Sequence, residues 1–345
     1  MSKLHALQSH LTNDLRVFRA PFFAHMEKVP AERLSQAGPS PQELWRVPSL
    51  NMFESWYVSG IVGGRRPSTY SESPQLWNAY FARLGQQGVF FGFDLPREED
   101  FPAFLRAFQA VPGCLDLTVT DPYKHAAYQA VKGMPYAVEW SEQARHTETV
   151  NHIIFDRKGG RVLALNTDGL GMIRAIREQM DISGKTLLLI GAGGSAASIG
   201  YECVLAGNAL FIMNRTPSRA EDLGGLLGRF VKATQALHWG GFDRMPSWVP
   251  QADIVINTVA QGCPLDSEHA GLLRGGVLLA ETKYGDKSEL RVLAEGAGKR
   301  YVDGKAMLFG QFVEAVAHVF SIIGVSKEAH DRVINSWTRF SPNFS

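Results

Sequence analysis

The chain has 345 residues, 45% of them hydrophobic and 20% charged, which is enough apolar sequence to build the cores of two domains. Its 35 lysines and arginines balance its 34 aspartates and glutamates, and the resulting formal charge of +1 argues against binding to nucleic acid or to an anionic membrane. We therefore expect a small-molecule ligand.

Residues 1–55 show neither the helical nor the strand period of hydrophobic residues, and their aromatic residues are scattered among prolines. We treat them as an N-terminal extension and assign them no function. From Trp56 onward, strand and helix patterns alternate. The sequence predicts strands over 57–62, 89–93 and 114–119, and helices over 74–84, over 101–110 and from Pro122. This alternation is typical of a mostly parallel sheet with helical crossovers.

A second alternating block predicts a doubly wound nucleotide-binding domain. Strands are expected over 185–190, 210–213, 254–257 and 277–280, and the helix after the first of them should run to about residue 206 and end before Gly207. After Asp303 the chain returns to helix over 307–323, which we expect to pack on the first domain. The predicted fold is therefore α/β with two domains, formed by residues 56–165 with 303–345 and by residues 166–302.

A glycine-rich loop joins the first strand of the second block to its helix. It reads Gly191-Ala192-Gly193-Gly194-Ser195-Ala196. Glycines here let the backbone turn tightly and approach a pyrophosphate, whose charge rests on the N–H groups of the helix N-terminus. The alternative is a turn that uses glycine only for its backbone freedom, but the flanking strand and helix favour dinucleotide binding.

The end of the next strand indicates which dinucleotide. An NAD enzyme usually has Asp or Glu there, whereas this chain has Asn214-Arg215-Thr216 followed by Arg219. A guanidinium at this position can stack on the adenine and pair with a 2′-phosphate, which a carboxylate would repel. The sequence therefore favours NADP over NAD, the alternative being a solvated arginine at a strand end.

Several short motifs, taken in chain order, resemble those of the shikimate dehydrogenase family. They are Ser71-Glu72-Ser73-Pro74 with Asn78, Val119-Thr120-Asp121-Pro122-Tyr123-Lys124, Asn151, Asn166-Thr167-Asp168-Gly169, the glycine loop, Asn214-Arg215-Thr216, Tyr284, and Met307-Leu308-x-x-Gln311. The resemblance covers roughly residues 56–325. It implies a substrate-binding first domain, an NADP-binding second domain, and reversible hydride transfer between NADPH and 3-dehydroshikimate or a related cyclic keto acid. That reaction belongs to the shikimate pathway of aromatic amino acid biosynthesis.

The same resemblance implies roles for individual residues. Hydride transfer to a ketone leaves an alkoxide that needs a proton, and Lys124 is the candidate donor, with Asp168 beside it. The other candidates would contact the ring substrate or the nicotinamide: Ser71 and Ser73 at the carboxylate, Thr120, Asn151 and Gln311 at the hydroxyls or carboxylate, and Tyr284 near substrate or nicotinamide.

Each of these residues also has a plainer interpretation. Ser73 before Pro74, and Asp168 before an amphipathic run, are typical helix N-caps. Lys124 alone would more often lie on the surface, and Gln311 alone would be a polar packing residue. Only the whole pattern favours the catalytic interpretation.

Three positions depart from the family pattern. Thr118 replaces a common Asn, Trp77 replaces a common His, and Asp286 replaces a Pro. Because Thr118 exchanges an amide for a shorter hydroxyl, the sequence does not decide whether the substrate is shikimate, quinate, an amino analogue or another ring acid.

A non-catalytic ligand sensor and a dehydrogenase of folate-type carriers are the rival functions. The paired serines argue against the carrier, and the joint presence of Lys124, Asp168 and the glycine loop argues against the sensor.

The cysteines and histidines suggest no metal site. Cys114, Cys203 and Cys263 form no Cys-x-x-Cys pair, which argues against zinc and against a disulfide framework and fits a reducing compartment. His146 and His152 lack a third ligand at metal spacing, so we interpret them as surface or packing residues. No signal-peptide core and no run of about 18 apolar residues occurs. We expect a cytoplasmic monomer or homodimer that contacts no membrane.

The N-terminal extension is predicted to be dispensable for the chemistry, because the family pattern begins only near Trp56. A chain beginning at Glu54 should fold with an unchanged Tm and turn over at the full-length rate. Aggregation of this shortened chain would instead show that the aromatic residues of the extension cover a core or an interface.

Overall fold

The structure is a computed structural model that describes residues 56–111, 113–284 and 288–338. The predicted extension lies outside the described residues. Contacts divide the described chain into a first unit of residues 56–141, 150–165 and 318–338 and a second unit of residues 142–149 and 166–317. In this part of the chain, each helix is too short or too polar to cross a membrane.

Twelve strands and thirteen α-helices, together with three short 3₁₀ turns, make up the described chain. The strands are β1 Tyr57–Gly63, β2 Gly88–Asp94, β3 Cys114–Val119, β4 Ala137–Trp140, β5 His152–Asp156, β6 Arg161–Leu165, β7 Thr186–Ile190, β8 Ala209–Met213, β9 Leu237–Gly240, β10 Ile254–Asn257, β11 Leu278–Glu281 and β12 Arg300–Val302. The helices are α1 Pro67–Tyr70, α2 Ser73–Arg83, α3 Phe101–Gln109, α4 Lys124–Lys132, α5 Glu142–Thr147, α6 Asp168–Arg177, α7 Gly194–Leu205, α8 Pro217–Gly228, α9 Met245–Trp248, α10 Ser267–Ala270, α11 Glu289–Gly296, α12 Gly304–Val319 and α13 Lys327–Thr338.

The first unit contains a six-stranded sheet of order β2-β1-β3-β5-β6-β4. Strand β1 runs parallel to β2 and β3, as the alternating pattern predicts, whereas β5 runs antiparallel to both β3 and β6. The antiparallel hairpin forms because Gly160, with φ of 67°, allows the chain to reverse between β5 and β6. As a result, the start of β5 lies at the same edge of the sheet as the ends of β1 and β3.

Aromatic side chains of α2 fill the space between this helix and the sheet. Trp77 and Tyr80 are at most 1% exposed, and the Trp77 ring stacks on Phe90 with 5.3 Å between centroids. On the other side, the Tyr80 hydroxyl lies 2.7 Å from Nδ1 of His330 in α13. Burial raises the pKa of Tyr80, so its hydroxyl stays protonated and keeps this hydrogen bond. The final helix is therefore part of the first unit.

The second unit contains a six-stranded sheet of order β12-β11-β10-β7-β8-β9 in which every pair is parallel. This arrangement confirms the predicted doubly wound architecture. Along β7, Leu187 and Leu189 pack into one apolar cluster and Leu188 and Ile190 into another. The strand reads as an unbroken apolar run because both of its faces are covered.

Helix α12 differs from the prediction in where it packs. We expected it to return to the first domain, but residues 304–317 cluster with the second unit. The physical reason is a close approach between α6 and α12, in which a Cβ on Gly171 would lie 2.6 Å from the Gln311 nitrogen and one on Gly310 would lie 2.7 Å from Gly171. Met307 also joins the apolar cluster of α6. The boundary between the two units therefore lies between residues 317 and 318, near the end of α12, and not at residue 303.

Candidate active site

Three of the candidate substrate and catalytic residues lie at one edge of the first sheet. Thr120 follows β3, and its N–H donates to Val62 of β1 at 2.9 Å. Lys124 begins α4, and its carbonyl accepts from the N–H of Val150 at 2.9 Å, next to Asn151 at the start of β5. Because the ends of β1 and β3 meet the start of β5 here, residues distant in sequence are brought to the same edge.

The paired serines come from the connection that follows β1. Ser71 and Ser73 are 4% and 3% exposed, and the Ser73 N–H donates to the Ser71 hydroxyl at 3.2 Å. Ser73 is the first residue of α2 and Glu72 is the N-cap residue, so the predicted N-cap role of Ser73 is wrong by one position. The Ser71 hydroxyl satisfies the first N–H instead, and the two serines stand together at a helix N-terminus, where anions bind well.

Lys124 is buried, with only 8% of its surface exposed. Lysines are among the residues least often buried, because desolvating an ammonium group is costly. Its burial in the first turn of α4 argues against the surface-lysine interpretation.

Asp168 lies in the second unit and is 1% exposed. It is the first residue of α6, and the residue before it, Thr167, makes no side-chain capping bond. Thr167 is the N-cap residue, and the Asp168 N–H donates to Oδ1 of Asn166 at 3.2 Å. The Asp168 carboxylate instead accepts a hydrogen bond from the Ser195 hydroxyl at 2.8 Å. The interpretation of Asp168 as a side-chain N-cap is therefore wrong, and its carboxylate is bonded to the glycine-rich loop.

That loop has the geometry of a phosphate-binding turn. Gly191 has φ of 113°, and a Cβ there would also overlap Thr258, so only glycine fits. Gly193, just before α7, has no heavy atom of the described residues within 4 Å of where its Cβ would be. No side chain caps α7, whereas Ala196 is packed into the core at 1% exposure. The open N-terminus of α7 can therefore receive an anionic group.

The candidate nucleotide-selecting residues follow the neighbouring strand, β8. The Gly191 N–H donates to Met213 at the end of β8 at 2.7 Å, which holds the two loops side by side. Asn214 closes the turn by donating to the Thr216 carbonyl at 2.9 Å. Arg215 and Arg219 are exposed, and neither forms an ion pair with another described residue. Their guanidinium groups can therefore meet a phosphate beside the glycine loop.

Two further candidates lie on the later elements of the second unit. Tyr284 is partly buried after β11, and Asp286 lies outside the described residues. Gln311 is partly buried on α12, where its backbone packs on Gly171. The second unit thus holds Asp168, Tyr284, Gln311 and the glycine loop, whereas Lys124 belongs to the first unit. The pairing of Lys124 with Asp168 stays a prediction.

A buried polar cluster in the first sheet was missed from the sequence. Asp116 is fully buried, and its carboxylate lies 3.0 Å from Nδ1 of His152 and accepts from the Thr118 hydroxyl at 3.0 Å. The Trp77 ring lies 6.3 Å from the His152 ring, so two of the departures from the family pattern, Thr118 and Trp77, meet around one histidine. His152 is therefore a buried packing residue whose ring is hydrogen-bonded to an aspartate. The signal available in the sequence was an aspartate inside an apolar strand.

The remaining histidines and cysteines suggest no further site. His146 lies 2.7 Å from the Tyr201 hydroxyl, and no cluster of three His, Cys, Asp or Glu in the described part of the chain could hold a metal ion. All three cysteines are unpaired, and burial raises the pKa of Cys263 to about 11, so it is a thiol rather than a reactive thiolate at neutral pH.

Comparison with known proteins agrees with these features. Residues 64–153 match the family described as the shikimate dehydrogenase substrate binding domain. The shikimate dehydrogenase (NADP(+)) of Rubrobacter xylanophilus is 36% identical over 271 residues, which are 74% of this chain and 88% of that relative. The enzyme of the same name from Pyrococcus abyssi is 31% identical over 263 residues, 75% of this chain and 90% of the relative.

The fold is also similar to solved structures. A shikimate dehydrogenase in complex with NADP+ superposes with a TM-score of 0.66 over 81% of this chain and 95% of its own, at 24% sequence identity. This likeness concerns the fold alone. The sequence matches to the two curated relatives, in contrast, cover 88% and 90% of the length of those relatives. The chain therefore belongs to the shikimate dehydrogenase family.

Proposed function

We propose that the chain is an NADP-dependent oxidoreductase that transfers a hydride reversibly between NADPH and 3-dehydroshikimate or a related cyclic keto acid. The observation that carries this proposal is the open N-terminus of α7 beside the exposed Arg215, in a chain related along most of its length to NADP-dependent shikimate dehydrogenases. We further propose that it works in the cytoplasm as a monomer or homodimer. Light scattering after size-exclusion chromatography would measure its oligomeric state.

The residues of the second unit fit an NADP molecule. The first N–H groups of α7 lack intrahelical acceptors and would bind the pyrophosphate, with Gly191 and Gly193 allowing the close approach. Arg215 would pair with the 2′-phosphate, and Arg219 and the Asn214–Thr216 turn would complete that end of the site. When bound, NADPH would supply the hydride.

The residues of the first unit would bind and protonate the ring substrate. Ser71 and Ser73, at the N-terminus of α2, would hold the carboxylate, and Thr120 and Asn151 the ring hydroxyls. The buried Lys124 ammonium would donate a proton to the oxygen that becomes an alkoxide, and it would take that proton back in the reverse direction. We propose that Asp168 orients this exchange, with Gln311 and Tyr284 of the second unit also contacting the substrate.

A panel of substrates tests this function directly. Purified protein is mixed with shikimate, quinate or an amino analogue of shikimate, each with NADP+ or NAD+, and the absorbance of the reduced nicotinamide is followed. We expect turnover of at least one ring acid with NADP+. Turnover of quinate or the amino analogue alone would identify a divergent enzyme, whereas tight ring-acid binding without any turnover would favour a ligand-sensing homologue.

Arg215 is predicted to select NADP over NAD. Arg215→Ala should weaken NADP+ binding by about 1.5–3 kcal/mol, because one charged hydrogen-bonding partner of the 2′-phosphate is lost. Binding of NAD+, which lacks this phosphate, should stay nearly unchanged. Both affinities can be measured by titration of the protein fluorescence.

The control for this substitution is Arg229→Ala, which removes an exposed arginine from the opposite end of α8. It should leave the affinity for both nucleotides as in the wild type. If the wild-type protein binds NAD+ as tightly as NADP+, or if both arginine variants behave alike, Arg215 is only a solvated strand-end residue.

A further inference from the structure

The N-terminal parts of α6 and α7 are held together by two hydrogen bonds that run in opposite directions. The Ser195 hydroxyl of α7 donates to the Asp168 carboxylate of α6 at 2.8 Å. The Gly169 N–H of α6 donates to the Ser198 hydroxyl of α7 at 2.9 Å. The backbones are so close that a Cβ on Gly169 would overlap the Ser198 carbonyl, so neither helix can shift without disturbing the other.

The two hydrogen bonds differ in the group that the serine hydroxyl contacts. The Ser198 hydroxyl satisfies a backbone N–H of the first turn of α6, which has no acceptor within its own helix. The Ser195 hydroxyl donates to one carboxylate oxygen, Oδ2 of Asp168, and so restrains rotation of that carboxylate. Only the second bond bears on the orientation of a reacting group.

Ser195 also belongs to the phosphate-binding turn. It is the second residue of α7, so its own N–H is among the first N–H groups of the helix, which lack intrahelical acceptors. Its side chain is partly exposed, whereas Asp168 is 1% exposed. The backbone of Ser195 is therefore part of the glycine-rich loop, while its hydroxyl is hydrogen-bonded to the buried Asp168 carboxylate.

We propose that Ser195 is a positioning residue, whose hydroxyl holds the Asp168 carboxylate in the orientation needed for proton transfer while its N–H serves the phosphate-binding turn. This inference rests on the proposed oxidoreductase function. It adds a role to the glycine loop, which then sets the geometry of the chemistry as well as the binding of the nucleotide.

The test compares Ser195→Ala with Ser195→Thr and Ser198→Ala in the full-length chain. Ser195→Ala should lower kcat about tenfold, as expected for the loss of one hydrogen bond to a charged group that matters in the rate-limiting step. Because the backbone N–H is retained, its dissociation constant for NADP+ and the rise in Tm that NADP+ causes should match the wild type. Ser195→Thr, which keeps the hydroxyl, should restore kcat.

Ser198→Ala is the matched control, because it removes the other hydrogen bond between the same two helices. It should lower Tm but keep the wild-type kcat. The double variant Asp168→Asn with Ser195→Ala should be no slower than Asp168→Asn alone, since the serine acts only through that carboxylate.

Three results would overturn the inference while wild-type turnover supports the proposed function. They are a wild-type kcat for Ser195→Ala, an equal loss of kcat in Ser198→Ala, and a loss of NADP+ affinity that parallels the loss of kcat. The last would assign the hydroxyl to the phosphate. Failure of the proposed function itself would appear in the wild-type protein, as no turnover with any ring acid, and would remove both proposals.

Discussion

Replacing Lys124 by Ala should lower kcat at least about a hundredfold, the low end of what general acid–base catalysis contributes. The alkoxide formed by hydride transfer would then have to take its proton from water. A buried ammonium at the start of α4, 8% exposed, is far better placed to deliver one. The affinity for NADP+ should stay within about twofold of the wild type, because it is set by the glycine loop and Arg215. Steady-state kinetics and nucleotide titration measure the two quantities.

The same helix supplies a control for this prediction. Lys132, the last residue of α4, is exposed and has its ammonium 6.0 Å from the Tyr128 ring centroid. Lys132→Ala removes an equal charge from the same helix and should keep the wild-type kcat. A Lys124→Ala variant that retains more than about a tenth of the wild-type kcat would contradict the proposed proton transfer.

Local patterns predicted the strands that build the centre of the second sheet. The run Thr186–Ile190 is apolar at every buried position, and the run Ile254–Asn257 is apolar except at Asn257. Both became central parallel strands within one residue of the expected bounds. Such runs are recognisable because a strand covered on both faces has no polar side to alternate with. The strands that were not predicted include β4 and β9. Each is a short strand at the edge of its sheet and pairs with a neighbour on one side only, so its sequence shows a weaker hydrophobic pattern.

The hairpin of β5 and β6 was missed although its signal was present. Gly159-Gly160 lies between two apolar runs, which is a typical hairpin pattern. Its omission mattered for the site, because the hairpin turns β5 antiparallel and brings Asn151 to the edge that holds Thr120 and Lys124. The sequence motifs grouped these residues as one candidate site, but the reason that they lie at one edge is the topology of the sheet.

Side-chain partners could not be predicted, since they depend on tertiary packing. Ser195 is 27 residues from Asp168, and His152 is 36 residues from Asp116. No local rule connects such positions. Local rules did assign an N-cap role to Asp168, and this was wrong because α6 already begins at Asp168 and the N-cap residue is Thr167.

Asp168→Asn separates a catalytic role from a structural one. The amide oxygen of Asn can still accept the hydrogen bond from Ser195, and Asn166 continues to satisfy the first N–H of α6, so Tm should stay close to that of the wild type. On the proposed pairing of Asp168 with Lys124, an uncharged amide would not orient or charge the lysine as a carboxylate would, and we expect kcat to fall by about ten- to a hundredfold.

Asp168→Ala should lower both kcat and Tm, because it also removes the acceptor of the Ser195 hydroxyl and leaves a cavity between α6 and α7.

The double variant Lys124→Ala with Asp168→Asn tests whether the two residues act together. Residues that share one proton-transfer step are non-additive, so the double variant should be about as slow as Lys124→Ala alone. If the two losses multiply instead, Lys124 and Asp168 act independently. If Asp168→Asn keeps the full kcat while Asp168→Ala merely lowers Tm, the carboxylate only joins two helices, and the proton must be delivered without it.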